Sequence, residues 1–270
     1  MTFLNKLENA WSKNQSLLCI GLDPIQEKFP SHLRENVGQI FDFNKQVIDA
    51  THDLVCAYKP QIAHFASIGA EKELEKTIEY IQKEYPHIPI ILDAKRGDIG
   101  STAEKYAHEA FVRYRVDAVT VNPYLGSDSV APFTSYKDKG TILLCRTSNG
   151  GAEDLQDLEV DGEALYLKVA RKIGDDWNEN KNCLAVVGAT WPEQMKAIRQ
   201  ILPETVFLVP GVGSQGGNVK DMILAGKDSK GKGLIISSSR SILYASNNHD
   251  FAIKSREVAM QLRDEINTHL

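Results

Sequence analysis

The chain has 270 residues, 42% of them hydrophobic and 25% charged, the balance of an ordinary soluble globular protein. At a nominal ~150 residues per domain that length fits two small domains or one large barrel, and the longest apolar runs fall well short of the ~20 residues of a membrane span. Thirty-one Lys and Arg against 36 Asp and Glu give a net charge of −5, which argues against a large nucleic-acid footprint but leaves room for a local positive cluster holding one small anion.

At the N-terminus, Phe3, Leu4, Leu7, Ala10 and Trp11 fall on one face of a helix, with none of the continuous apolar core of a signal peptide. A cytoplasmic protein is the expectation. From there a single pattern recurs: a short apolar run, a polar turn, then an amphipathic stretch. The runs are Leu17–Gly21, Leu54–Tyr58, Ile88–Leu92, Ala118–Val121, Ile142–Cys145, Leu184–Val187, Val206–Val209 and Leu234–Ser237. They repeat at roughly 31 residues, the size of a βαβ unit. Runs that are continuously apolar suit strands buried on both faces of a parallel sheet. Between them, Glu71–Tyr85 carries Leu74, Ile78 and Ile81 on one helical face, and Leu165–Trp177 repeats Leu165, Val169, Ile173 and Trp177. Phe251–Ile266, with Phe251, Ser255, Val258, Leu262 and Ile266, reads as a final covering helix. Pro24, Pro60, Pro123, Gly150–Gly151 and the glycines from Gly211 to Gly217 punctuate the strand exits.

Eight such units in this length predict a (β/α)8 TIM barrel. A doubly wound open sheet has fewer strands and leaves the eighth without a partner. No linker, charge block or low-complexity tract divides the chain, so one domain over residues 1–270, with the N-terminal helix as a cover, is expected. The four cysteines, Cys19, Cys56, Cys145 and Cys183, lie in or beside apolar runs without C-x-x-C spacing. They read as small buried hydrophobes, with neither a zinc site nor a disulfide framework.

Barrel enzymes carry their chemistry at the C-terminal strand ends and the loops beyond. There the chain places Asp23 after the first run and Lys59 at the end of the second. Asp93, Lys95 and Asp98 follow the third, Asn122 the fourth, Thr147–Asn149 the fifth and Arg240 the eighth. One carboxylate at a strand end is ordinarily a solvated charge. Four alternating charges on neighbouring ends, Lys59, Asp93, Lys95 and Asp98, hold each other ionised and read as a functional cluster, although such a network can also be purely structural. After the seventh run, Gly211, Gly213, Gly216 and Gly217 let the backbone approach an anion, and Arg240 offers a planar fork to phosphate with a helix N-terminus behind it. This is the usual phosphate position of such barrels, and its glycines suit a loop that closes over the ligand.

At these residues the chain resembles a known family. Asp93–Ala107, D-A-K-R-G-D-I-G-S-T-A-E-K-Y-A, is similar to the signature of orotidine 5′-phosphate decarboxylase in its longer bacterial subgroup. Ala57–Gln61, Thr120–Gly126, Arg146–Asn149 and Pro210–Gly217 match in order, so the likeness runs from Leu17 to about Tyr244. One departure is T-S-N-G-G, where the family pattern has proline after the Asn. The resemblance implies decarboxylation of orotidine 5′-phosphate to uridine 5′-phosphate, with no metal or organic cofactor. By position it implies a Lys59-Asp93-Lys95-Asp98 tetrad, with Lys95 protonating carbon 6 and Asp93 beside the substrate carboxylate. It further implies a homodimer in which Asp98, with Thr102 beside it, reaches the neighbour's site. Asp23 and Lys59 would hold ribose hydroxyls and Ser148 would read the pyrimidine edge. Gln215, Gly216, Gly217 and Arg240 would bind phosphate.

Two other readings compete. A metal-dependent sugar-phosphate decarboxylase or aldolase shares the Asp-x-Lys-x-x-Asp run, but resemblance to those relatives implies an acidic metal ligand where Lys59 stands. A silent barrel that only binds nucleotide phosphate has no need of the full tetrad. Among the remaining residues, His64 reads as a hydrogen-bonded barrel histidine, Trp191–Pro192 as packing at a turn, and Gly150–Val160 as an ordered loop over the pyrimidine.

Overall fold

The computed structural model describes residues 1–212 and 218–270. Eight strands form the barrel: β1 (Leu18–Leu22), β2 (Ala57–Pro60), β3 (Ile91–Arg96), β4 (Ala118–Val121), β5 (Gly140–Arg146), β8 (Cys183–Val187), β9 (Phe207–Val209) and β10 (Leu234–Ser238). All neighbours pair in parallel, and β1 joins both β2 and β10. The sheet order leaves β2 and β3 as its two ends. Two isolated parallel bridges, Tyr58 with Ile90 and Gln61 with Asp93, close that seam. Burial on both faces explains the unbroken apolar runs, since each strand lies between the barrel interior and a layer of helices.

The helices are α1 (Phe3–Asn14), α2 (Gln39–Thr51), α3 (Ile62–Ala66), α4 (Glu71–Glu84), α5 (Gly100–His108), α6 (Ser127–Thr134), α7 (Leu165–Arg171), α8 (Pro192–Ile201), α9 (Val219–Gly226), α10 (Arg240–Leu243) and α11 (Phe251–Thr268). Helix α4 buries Leu74, Ile78 and Ile81 as its spacing predicts. Each such side chain contributes about 1.5–3 kcal/mol on burial. Helix α1 buries Phe3, Leu7 and Trp11 against the end of the barrel where strands enter. Lys6 there pairs with Asp117 at 2.8 Å, and Asn14 donates to the carbonyls of His52 and Val55. Helix α11 packs through Phe251, whose ring stacks on Phe43 at 4.9 Å, and Phe43 in turn stacks on Phe29 at 3.9 Å.

Helix α7 departs from the expected face. It buries Tyr166 and Ala170, and a π-helical turn at Lys172–Asp176 follows, burying Ile173. Leu165 and Val169 instead help to line a cavity of about 310 Å³ with Tyr124, Leu144 and Leu155. The long connection after β5 also holds a small antiparallel hairpin, β6 (Glu159–Val160) with β7 (Glu163–Ala164).

Candidate active site

Strand β2 ends in Ala57-Tyr58-Lys59-Pro60 with every residue buried, so Lys59 meets the barrel interior with its side chain 7% exposed. Across the seam Asp93 answers it: Lys59 Nζ lies 2.9 Å from Asp93 Oδ2, and both side chains are buried. Lys95 Nζ sits 2.6 Å from the other oxygen, Asp93 Oδ1. Burial alone would raise the Asp93 carboxyl, yet Lys59 and Lys95 outweigh it and hold the group well below the usual carboxylate range. Burial likewise works against the Lys59 ammonium, and the Asp93 and Asp23 carboxylates more than offset it, holding Lys59 above its ordinary value. Lys95 is different in one respect: its side chain is 47% exposed at the barrel mouth while its ammonium stays anchored inside.

Asp93 and Lys95 belong to β3 itself, which runs through Arg96, so these charged residues are part of the strand and not of the loop beyond it. The strand is irregular there. Its register against β4 shifts between Leu92 and Arg96, and Lys95 adopts a left-handed backbone with φ of 47°. Asp98 does not join the other three within this chain. Its carboxylate accepts the Ile99 amide at 2.8 Å, and it forms no ion pair among the described residues. Thr102 is exposed on the first turn of α5 and lies beside it in sequence.

At the exit of β1, Asp23 Oδ2 accepts from Ser239 Oγ at 2.6 Å. The Tyr244 hydroxyl donates to the Asp23 carbonyl and accepts the Ile25 amide, both at 2.7 Å, which fixes the turn that presents the carboxylate. Asp23 Oδ1 is buried with no donor among the described residues. Arg240 is exposed at the start of α10, a helix of four residues, so the backbone dipole behind it is that of a single turn. Gln215, Gly216 and Gly217, together with Gly213, lie outside the described residues; Gly211 is described, with φ of 100°.

Ser148 follows β5 in a segment held from both sides. Gln156 accepts the Thr147 amide at 2.8 Å, and Thr190 Oγ1 donates to the Ser148 carbonyl at 3.2 Å. Arg146, fully buried, places Nε 2.9 Å from Asp157 Oδ1 and donates from Nη2 to Asp157 Oδ2 at 2.9 Å. Its Nη1 donates to the Thr147 carbonyl at 3.0 Å, and its guanidinium lies over the Trp191 ring at 4.5 Å. The connection Gly150–Asp154 is a 3-10 turn, tied back to the strand by Gln156 and Asp157. Trp191 is thus a packing residue with a definite partner. His64 meets the Pro24 carbonyl at 3.1 Å through Nδ1, the hydrogen-bonded role read for it.

Four contributors escape the sequence reading. Ser239 stands in S-S-S-R, where the arginine draws attention. Thr120, 1% exposed, is the polar residue inside A-V-T-V. Arg146 opens R-T-S-N, a segment matched to the family without a role of its own for the arginine. Gly188 shows only its geometry: a Cβ there would lie 2.6 Å from Ser148 Cα. The polar residue within an apolar run was the one usable signal.

A closed parallel (β/α)8 barrel with a Lys-Asp-Lys array at its C-terminal mouth, Lys59 and Asp93 buried and Lys95 reaching the opening, defines a class of barrel enzyme that carries its charged residues at the strand ends. Residues 16–254 match the profile described as the orotidine 5′-phosphate decarboxylase / HUMPS family, and the chain belongs to that family. A relative from Cellvibrio japonicus (strain Ueda107) named orotidine 5′-phosphate decarboxylase is 65% identical over 269 residues, covering 99% of this chain and 98% of its own. Among solved structures, one titled OMP decarboxylase from Leishmania donovani is 38% identical with a TM-score of 0.87, covering 99% of this chain and 98% of that one. Another, titled UMP synthase from the same organism, is 39% identical with a TM-score of 0.89, and this chain spans 56% of its length.

Proposed function

We propose that this chain, acting as one barrel domain in the cytoplasm, decarboxylates orotidine 5′-phosphate to uridine 5′-phosphate and CO2, the last step of de novo UMP synthesis, without metal or organic cofactor. The observation that carries the reading is the array Lys59–Asp93–Lys95, with Asp93 bridging both ammoniums at 2.9 and 2.6 Å. The full-length relatives that bear the decarboxylase name support it.

Loss of CO2 leaves an electron pair at carbon 6 in the plane of the ring, where no conjugation can delocalise it. The site therefore has to stabilise charge electrostatically and then supply a proton. Lys95 is suited to both tasks: its ammonium is fixed by Asp93, and its stem reaches the open mouth. Asp93 would face the departing carboxylate. Two unit charges at about 4 Å interact by roughly 4 kcal/mol at an effective dielectric near 20. Enzymatic accelerations require about 8–23 kcal/mol, so ground-state repulsion is the lesser contribution and stabilisation of the carbanion the greater. Binding energy from the remote phosphate would hold the ring against this array.

The remaining assignments follow the strand ends. Asp23, with its second oxygen free of any donor among the described residues, and Lys59 hold ribose hydroxyls. Ser148 reads the pyrimidine edge. Arg240, Gln215, Gly216 and Gly217 take the phosphate. Asp98 and Thr102 serve a second copy in a homodimer, consistent with a carboxylate that turns away from its own chain's lysines beside an Ile99 that is 56% exposed. A metal-dependent sugar-phosphate reaction fits poorly, because a buried ammonium at Lys59 repels a divalent cation.

The test is loss of orotate absorbance in chelator-treated buffer. Rapid decay supports the reading. Absence of decay, with sugar-phosphate turnover appearing on addition of magnesium, sinks it. Sharing of Asp98 is tested by mixing Lys95→Ala and Asp98→Ala chains. Shared sites regain about a quarter of wild-type activity on subunit exchange, whereas self-contained sites regain none.

A further inference from the structure

Lys95 is the one residue of the array whose backbone departs from a strand conformation. With φ of 47° it occupies the left-handed region, which costs a residue with a Cβ about 1 kcal/mol or more unless its surroundings enforce it. The turn also takes the Ala94 and Lys95 amides out of the ladder that binds β3 to β4, whose register breaks between Leu92 and Arg96. Two part-buried donors then need an acceptor from elsewhere.

One side chain provides it. Thr120, on β4 and 1% exposed, presents Oγ1 at 2.9 Å from the Ala94 amide and at 2.9 Å from the Lys95 amide. Its hydroxyl also lies 2.9 Å from Asp93 Oδ1, the oxygen that binds Lys95 Nζ at 2.6 Å. A threonine hydroxyl has two lone pairs and one proton. Both lone pairs are used by the amides, so the proton has to go to Asp93. The direction of every bond is determined, and a single atom joins the strained backbone of Lys95 to the carboxylate that anchors its ammonium.

We infer that Thr120 is a positioning residue for the decarboxylation, setting where the Lys95 ammonium stands relative to Asp93 by holding the β3 bulge and the carboxylate through one hydroxyl. The inference rests on the assignment of Lys95 and Asp93 as the reacting pair. Thr120 does not touch the substrate in this account. Its effect falls on the chemical step and leaves the phosphate, ribose and pyrimidine contacts in place. Displacement of a reacting group by about 1 Å costs on the order of 10²-fold in rate.

The experiment compares Thr120→Val, which keeps the shape and removes the hydroxyl, with Thr120→Ser, which keeps the hydroxyl. For each, kcat is measured per site, with sites counted by calorimetric titration with UMP. The expected result is a kcat lowered about 30-fold or more for Val and within about 3-fold of wild type for Ser, with UMP affinity and stoichiometry within about 2-fold for both. Should the Val chain bind no UMP, Thr120→Ala carries the same expectation with less crowding. A kcat per site within about 3-fold of wild type without the hydroxyl overturns the inference, as does parallel loss of UMP affinity and kcat in both hydroxyl-free variants. Lys95→Ala in the same assay separates the two levels: wild-type kcat there removes the underlying assignment, whatever Thr120 does.

Discussion

Lys59 and Asp93 meet across the β2–β3 seam of the barrel, Nζ to Oδ2 at 2.9 Å, at the joint where the two strands are linked only by isolated bridges. An ion pair therefore sits where the backbone ladder is thinnest. It ties the seam together and also fixes the charge array at the barrel mouth.

Removing the carboxylate leaves a buried ammonium with no partner. Asp93→Asn is expected to lower the unfolding free energy by about 3 kcal/mol at pH 7, measured by urea titration. The pH dependence has a definite sign. The Asp93 carboxyl lies below its unfolded value of about 3.9, so its stabilisation is complete above that pH and is lost as pH falls toward the folded value. Lys59 lies above its unfolded value of about 10.4, so its share is complete below that pH and is lost only as pH rises through the folded value. From about pH 5 to 9 the pair contributes a flat term. Below about pH 4 the wild type loses stability more steeply than Asp93→Asn, and equal acid slopes would contradict the pairing.

The Arg146–Asp157 pair predicts an asymmetry. Arg146 is fully buried while the Asp157 side chain is 34% exposed. Asp157→Ala strands a buried guanidinium and is expected to cost about 3 kcal/mol. Arg146→Met leaves a carboxylate that water can reach and fills the slot beside Trp191, for about 1–2 kcal/mol. Urea unfolding of the two variants in the reverse order would refute this account of the clamp.

Gly188 is fixed by contact and not by its backbone angle. Any side chain there meets Ser148 Cα at 2.6 Å and pushes aside the residue assigned to the pyrimidine. Gly188→Ala is expected to keep its cooperative melt and lose about 10²-fold in kcat/KM. Unchanged turnover would show that Ser148 does not need its observed place.

How far the sequence reached can be seen at particular residues. The eight apolar runs mark the barrel strands because burial on both faces leaves a continuous signal. The run Ile88–Leu92 identifies β3 but stops short of Asp93–Arg96, since charged residues that face one another inside a barrel look like solvated loop charges until their partners are known. The α7 face shifts from Leu165 and Val169 to Tyr166 and Ala170 because the neighbouring loop leaves a cavity over the first pair. The hairpin β6–β7 was legible in principle: Asp161 and Gly162 both have positive φ, the chemistry of a two-residue hairpin turn. The bulge at Lys95 rests on Thr120, a tertiary contact that no local spacing encodes, and Asp98 accepts only the neighbouring Ile99 amide among the described residues.

The cysteines give an independent check of the interior. Burial pushes the Cys19 thiol up to about 12 despite the opposing pull of Lys59, and Cys145 and Cys183 are raised to about 12 by burial as well. All four thiols are free and buried. A disulfide reagent at pH 8 is expected to label none of them within minutes in the folded protein and all four in urea. Fast labelling of Cys19 in the native state would mean that the barrel interior beside Lys59 opens to solvent.

The central claim is that Lys95, anchored by Asp93, stabilises and protonates the carbanion. It is tested most directly by kcat for orotidine 5′-phosphate in Lys95→Ala, per site counted by UMP binding. The account predicts a loss of at least about 10³-fold with UMP affinity changed by less than about 10-fold, the pattern of an interaction made in the transition state. A Lys95→Ala chain that turns over within about 10-fold of the wild type would contradict it, and the proton would then have to come from another group.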